Sequence, residues 1–206
     1  MKIALIGATG FVGSQVLREA SERGHDVTAI ARRIGNVPRL QGVTAMKADI
    51  ADAGRLAEVL RGHDVVVSAT KFLRTDPRAL GATIAAAGVP RWMIVGGAGS
   101  LEVTPGVALV DTPEFPAEYR SEALAGRAFL EVLRGLKEPL WTFLSPPALL
   151  EPGPRTGNYR VGGDRLLADE AGHSGISVAD YAVALVDELE NPRHPGQRFT
   201  VASSVR

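Results

Sequence analysis

The sequence predicts an α/β protein built on a doubly wound, parallel sheet. Three observations carry that prediction. Short apolar runs alternate with segments of helical period along most of the 206 residues, the pattern of repeated strand–helix–strand units. Each apolar run is nearly continuous rather than alternating, as expected of strands covered on both faces. The first run, in IALIGATGFVG, ends in three glycines, Gly7, Gly10 and Gly13, and leads into a helical segment.

The elements follow in order. KIALI (2–6) is the first strand, and the helix over 11–23 starts inside the glycine turn. DVTAI (26–30), VTAMK (43–47), DVVVS (64–68), RWMIV (91–95) and PLWTFL (139–144) read as five further strands. Helices are expected near 52–61, 76–88 and 116–135, the first of these capped by Asp52. From about 145 the chain turns rich in proline and glycine, which indicates loop with one short strand. Ser177 and Asp180 have the spacing of a capping box, opening a helix that Asn191-Pro192 stops after Glu190. RFTVA (198–202) is a last strand. Right-handed crossovers make a doubly wound sheet the economical topology. No linker divides the chain, so residues 1–206 are expected to form a single domain, with about 145–206 contributing a small substrate-side lobe.

Composition narrows the function classes. Basic and acidic residues balance at 23 each, without the surplus that nucleic-acid or anionic-membrane binding requires. There is no cysteine, which excludes disulfides, thiolate nucleophiles and cysteine metal sites, and the four histidines lack metal-ligand spacing. The first apolar run breaks at Gly7, too early for a secretory signal. The expectation is a cytoplasmic protein, monomer or homodimer, that holds no metal and acts on a small molecule.

The glycine turn points to a dinucleotide. Gly7 permits a tight exit from the strand, Gly10 lets backbone approach a pyrophosphate, and Gly13 lets the helix sit close to the sheet. Free amides and the positive helix end hold the anion, so Gly7, Thr9, Gly10, Phe11, Val12 and Gly13 are candidate cofactor contacts. The end of the second strand reads AIARRIGN, with Arg32 and Arg33 where an NAD-binding chain carries a carboxylate. Two guanidiniums suit the 2′-phosphate of NADP by charge and forked geometry. The alternative is a pair of surface charges.

GATGFVG, KADIADAGRLAEVLRGHDVVVSAT and VPRWMIVGGAGSLEV, with WTFLSPPALLEPGPRTGNYR, GHSGISVADYAVALVDELENP and RFTV, resemble the atypical short-chain dehydrogenase/reductase superfamily over nearly the whole chain. The closest resemblance is to its NmrA-like branch of NAD(P)H-binding and NADH-flavin-reductase-like proteins, which is similar to biliverdin reductase B. The resemblance implies a Rossmann fold. It also implies that Asp49 meets the adenine amino group with Ile50 packing beside the ring. Ser68, Ala69 and Thr70, and then Gly96 and Gly97, would let ribose and nicotinamide lie against backbone.

Catalytic members of the superfamily carry Tyr-x-x-x-Lys where this chain reads EYRSEALAG, so Tyr119 is followed four residues on by Ala123. A tyrosine without that lysine is a poor acid near neutral pH. Ala148 stands where biliverdin-reductase-type relatives place a histidine. Ser100 and Tyr119 remain as candidate catalytic groups. A flavin or quinone spreads incoming charge over its own rings, so its reduction needs orientation more than a side-chain acid. The expectation is therefore NADPH-dependent reduction of such an acceptor. Lys71 and Arg155 would hold an FMN or FAD phosphate and Phe72 and Tyr159 would stack its ring. A non-catalytic NADP(H) sensor of NmrA type is the alternative, and a nucleotide-sugar epimerase the third reading.

Overall fold

The computed structural model describes residues 1–204. Its centre is an eight-stranded sheet containing β1 (Lys2–Ile6), β2 (Asp26–Ala31), β3 (Val43–Lys47), β4 (Val65–Ser68), β5 (Arg91–Val95), β8 (Leu140–Ser145), β10 (Tyr159–Gly162) and β12 (Gln197–Ser203). The strand order is β10-β12-β8-β5-β4-β1-β2-β3. All neighbours are parallel except β10 on β12. Two small ribbons lie outside it: β6 (Glu102–Thr104) with β7 (Val107–Ala108), and β9 (Leu149–Glu151) with β11 (Gly175–Ser177).

Five helices cover the two faces. Val16, Leu17 and Ala20 of α1 (Phe11–Glu22) and Tyr181, Leu185 and Leu189 of α5 (Val178–Glu190) pack on Ile3, Leu5, Val27, Val65 and Phe199. On the opposite face Leu56 and Leu60 of α2 (Ala53–Leu60), Leu80 and Ile84 of α3 (Pro77–Ala86), and Phe129, Leu130 and Leu133 of α4 (Ala117–Arg134) pack on Ala4, Ile6, Val66, Trp92 and Phe143. Covering both faces explains the near-continuous apolar strands. Asp52 caps α2 by accepting from Arg55 N at 3.0 Å.

Three expectations change in detail. The residues after 145 do not stand apart as a lobe: β12 and β10 widen the main sheet and α5 packs beside α1, while the β9–β11 ribbon lies outside that sheet. Three short strands, not one, lie between 149 and 177. The capping box at α5 is only half formed. Ser177 Oγ accepts from Asp180 N at 3.0 Å, whereas the Asp180 carboxylate accepts from Thr156 N, Thr156 Oγ1 and Gly157 N at 2.7 to 2.8 Å. Among the described residues no helix is long and apolar enough to cross a membrane.

Candidate functional site

The strand order reverses direction between β1 and β4, whose crossovers lie on opposite faces of the sheet. Open sheets of this kind leave a crevice at that point, beyond the carboxyl ends of the strands. A cavity of about 920 Å³ lies there, lined by residues that follow β1, β2, β3 and β4. This is at the upper end of the size expected for small-molecule sites.

The glycine turn forms its floor. Gly7 has φ of +82°, and a Cβ there would fall 2.3 Å from Ala69 O, so only glycine fits. Gly7 N donates to Ile30 O at 3.2 Å and Ala69 N donates to Ile6 O at 2.9 Å, which binds the turn to both neighbouring strand ends. A Cβ on Gly13 would lie 2.1 Å from Gly7 O, and this close approach sets α1 against the turn. Gly10 differs: an added Cβ would meet only Gly7 O, at 3.4 Å. The protein's own packing therefore does not demand glycine at 10, which fits a requirement set by a group lying against it. No side chain caps the N-terminus of α1, leaving first-turn amides for an anion.

The cavity walls are cationic. Arg32 and Arg33 follow β2, and Lys71 and Arg74 lie beyond β4. None of the four makes an ion pair among the described residues, in contrast to Arg23, Arg127 and Arg198. Among the described residues Asp49 is the only carboxylate lining the cavity. One of its oxygens accepts from Ala51 N at 3.0 Å, which fixes the turn after β3. Of the other expected contacts Ile50, Ala69, Thr70 and Thr9 also line it; Asn36, Ala48, Ala51, Arg74 and Thr75 join them. Of these only Arg74, a cation beside Lys71, carried a sequence signal. The others enter because they follow strand ends.

Several expected contacts are placed elsewhere. Ser68 is buried, and its hydroxyl accepts from Trp92 Nε1 at 2.9 Å, so it faces the core and not the cavity. Gly96 is required by packing: a Cβ would lie 2.4 Å from the Phe143 ring. A Cβ on Gly97 would meet the Phe72 ring at 3.4 Å. Val12 packs against the α1-side core, and Phe11 is exposed at the start of α1. Phe72 is an anchor, not an acceptor platform, with its ring edge-on to Phe129 and stacked near Phe143.

Arg155 and Tyr159 are corrected most. Arg155 forms a forked pair with Glu19 at 2.7 and 2.8 Å, well along α1 from the glycine turn. The Tyr159 hydroxyl donates to Asp187, and burial together with that carboxylate raises its pKa. Arg23 ties the cluster together, donating to Glu19, Asp187 and Glu190. A guanidinium and a phenol were available to these buried or half-buried carboxylates, and the loop carrying them closes on α1 and α5 instead of the cavity.

The candidate catalytic groups do not meet. Tyr119 is 63% exposed in the first turn of α4. Ser100 Oγ accepts from Arg198 Nη1 at 3.3 Å, and Arg198 is itself held by Asp164 at 2.6 Å. At the position of the absent lysine, Ala123 packs against Gly99, where a Cβ would lie 2.7 Å away.

A doubly wound sheet with a glycine turn and a cationic cavity across its switch point defines a dinucleotide-binding protein. The model of the NAD(P)H-binding family matches residues 7–192, and the chain belongs to that family. It is 42% identical to the uncharacterized protein YwnB of Bacillus subtilis (strain 168), over 98% of this chain and 99% of that one. A solved structure proposed to be an epimerase, from Bacteroides thetaiotaomicron, superposes with a TM-score of 0.94 at 41% identity, covering 100% of this chain and 98% of that one. A second, proposed to be an NADH-flavin reductase, from Streptococcus pneumoniae TIGR4, gives 0.84 at 36% identity, covering 99% of this chain and 100% of that one.

Proposed function

We propose that this protein is an NADPH-dependent reductase of flavin or quinone-like acceptors. The observation that carries the cofactor reading is the cavity itself: an uncapped helix start, a glycine turn with room at Gly10, and four unpaired cations against one carboxylate. The glycine turn would hold the pyrophosphate on its amides, Arg32 and Arg33 would take the 2′-phosphate, and Asp49 and Ile50 would receive the adenine. Nicotinamide supplies a hydride when bound. The chain's residues orient the cofactor and hold its charge; Ala123 stands in place of the lysine, and neither Tyr119 nor Ser100 lines the cavity, so the acid–base pair of the superfamily is not assembled here. Such a site suits an acceptor that stabilises negative charge in its own rings. The likeness to the Streptococcus protein proposed to be an NADH-flavin reductase supports this acceptor class.

The second reading is a non-catalytic NADP(H) sensor. It is favoured by the α4 face, where Phe72 and Gly99 cover the helix beside the missing lysine. The epimerase reading draws on the Bacteroides neighbour, but the lysine position of a tyrosine–lysine pair is Ala123, packed against Gly99 here.

The test is NADPH oxidation by the purified protein with FMN and then a panel of small quinones, beside an Arg32→Ala/Arg33→Ala control. Saturable turnover with FMN or a quinone, with the KM for NADPH raised about tenfold or more in the double variant, is the expected result. Tight NADPH binding with no turnover above the uncatalysed rate would replace the reductase by the sensor.

A further inference from the structure

The turn after β4 is more tightly held than a surface loop requires. Residues Phe72–Arg74 form a single 3₁₀ turn. Its first two amides are taken by one carboxylate from another element: Phe72 N donates to Glu122 Oε1 at 2.6 Å and Leu73 N to Glu122 Oε2 at 3.4 Å. Thr75 Oγ1 lies 3.0 Å from Thr70 Oγ1 and donates to Lys71 O at 2.9 Å, closing the turn from its other end. Beneath it the Phe72 ring packs on Gly126, where a Cβ would lie 3.0 Å away, and against Phe129 and Phe143. Through these contacts α4 fixes the backbone of a short segment from which Lys71 and Arg74 project into the cavity.

β4 and β2 are the two strands flanking β1. Their ends lie about two strand spacings, ~10 Å, apart. Arg32 and Arg33 line one side of the cavity, and Lys71 and Arg74 the other. Arg74 lies in the 3₁₀ turn beyond the end of β4, and all four cations line the one cavity, so an anion held there is within the field of both pairs. A 2′-phosphate carries about −1.5 to −2 at neutral pH and offers three acceptor oxygens, more than one guanidinium satisfies. Arg74 has the forked donor set for such an anion and no competing carboxylate among the described residues. Lys71 directly follows Thr70 at the strand end, nearer the glycine turn that Ala69 abuts.

We propose that the Lys71–Thr75 turn is a second recognition element for the 2′-phosphate of NADP(H), with Arg74 as the phosphate ligand and Glu122 as the residue that positions it. The proposal rests on the cofactor reading above and extends it to a segment outside the β2 arginines. The preference for the phosphorylated cofactor is then set from both walls of the cavity, and one of them depends on α4 through Glu122.

The test measures dissociation constants for NADPH, NADH, 2′,5′-ADP and 5′-AMP with the wild type, Arg74→Ala, Glu122→Gln and Arg32→Ala/Arg33→Ala. Arg74 is exposed and unpaired, so its loss leaves the fold intact. Arg74→Ala is expected to weaken NADPH and 2′,5′-ADP about tenfold while leaving NADH and 5′-AMP within about twofold. Glu122→Gln keeps one acceptor oxygen and is expected to lower the NADPH-to-NADH preference in the same direction, by less. Equal weakening of all four ligands, or of none, in Arg74→Ala overturns the assignment of Arg74. An unchanged preference in Glu122→Gln overturns the positioning role. Wild-type protein that binds NADPH and NADH alike, with no effect of the Arg32→Ala/Arg33→Ala change, would instead overturn the parent reading.

Discussion

At the residue scale the contrast is between Arg74 and Arg155, two loop arginines with opposite fates. Arg74 has no carboxylate partner among the described residues and lines the cavity. Arg155 is consumed by Glu19, which is buried at the centre of a cluster joining α1, α5 and the 154–160 segment. Burial disfavours the Glu19 charge, but the hydrogen bonds from Arg155 and Arg23 outweigh it, and the carboxyl lies below its ordinary value of 4.5. A lowered folded-state value means stability that is complete above the ordinary value and lost as pH falls through the folded one. Glu19→Gln should therefore cost on the order of 2 kcal/mol at neutral pH, since it leaves two guanidiniums short of an anion. The gap between variant and wild type should narrow as pH falls below 4.5. Urea unfolding at pH 7 and pH 3.5 measures it; a gap that stays constant across that range would contradict the assignment.

At the scale of elements, α4 has exchanged one task for another. Glu122 and Gly126 hold the turn after β4, while Ala123, at the position of the absent lysine, packs against Gly99. Gly126→Val places branched carbon where a single Cβ already falls 3.0 Å from the Phe72 ring. The expected cost is about 1–3 kcal/mol, the range for overpacking, and NADPH binding should weaken more than NADH binding because the displaced segment carries Arg74. Thermal unfolding and titration with both cofactors check this; unchanged binding would separate α4 from the cavity. The strands and helices were legible because each stands on its own apolar pattern: β1, β3 and β5 have the expected bounds, and the other long elements shift by a residue or two. Partners distant in sequence were not. Arg155 and Glu19 are 136 residues apart, and Phe72 and Glu122 are 50 apart. Nothing local in GPRTG or KFLRTD states which carboxylate each will meet. The short β6–β7 ribbon has two- and three-residue strands, too brief to show a period.

For the whole molecule, the sheet, the glycine turn and both pairs of cavity cations belong to one folded unit, so cofactor binding must register as global stability. A ligand present at one hundred times its dissociation constant adds about 2.7 kcal/mol, and a chain of this size gains about 2–4 °C per kcal/mol. NADPH at that level should raise the unfolding midpoint by roughly 5–10 °C. NADH at the same concentration should raise it by clearly less, and differential scanning fluorimetry reads both. Equal shifts for the two would remove the role given to the cationic walls. The cavity residues most readable in advance were those whose chemistry is local: Gly7, Gly10 and the Arg32–Arg33 pair are recognisable within a dozen residues of a strand. Ser68 and Gly96 were misleading because a small residue at a strand end serves a neighbouring indole or phenyl ring as readily as it serves a ligand.

The contact between Ala123 and Gly99 also bears on how this chain can change. Adding Ala123→Lys alone would not restore a tyrosine–lysine pair, because four methylenes would have to leave past backbone that already lies against the alanine. The Gly99 segment would have to retreat first. A lysine at 123 would thus need a compensating change around Gly99 before its ammonium could reach the cofactor side of the sheet.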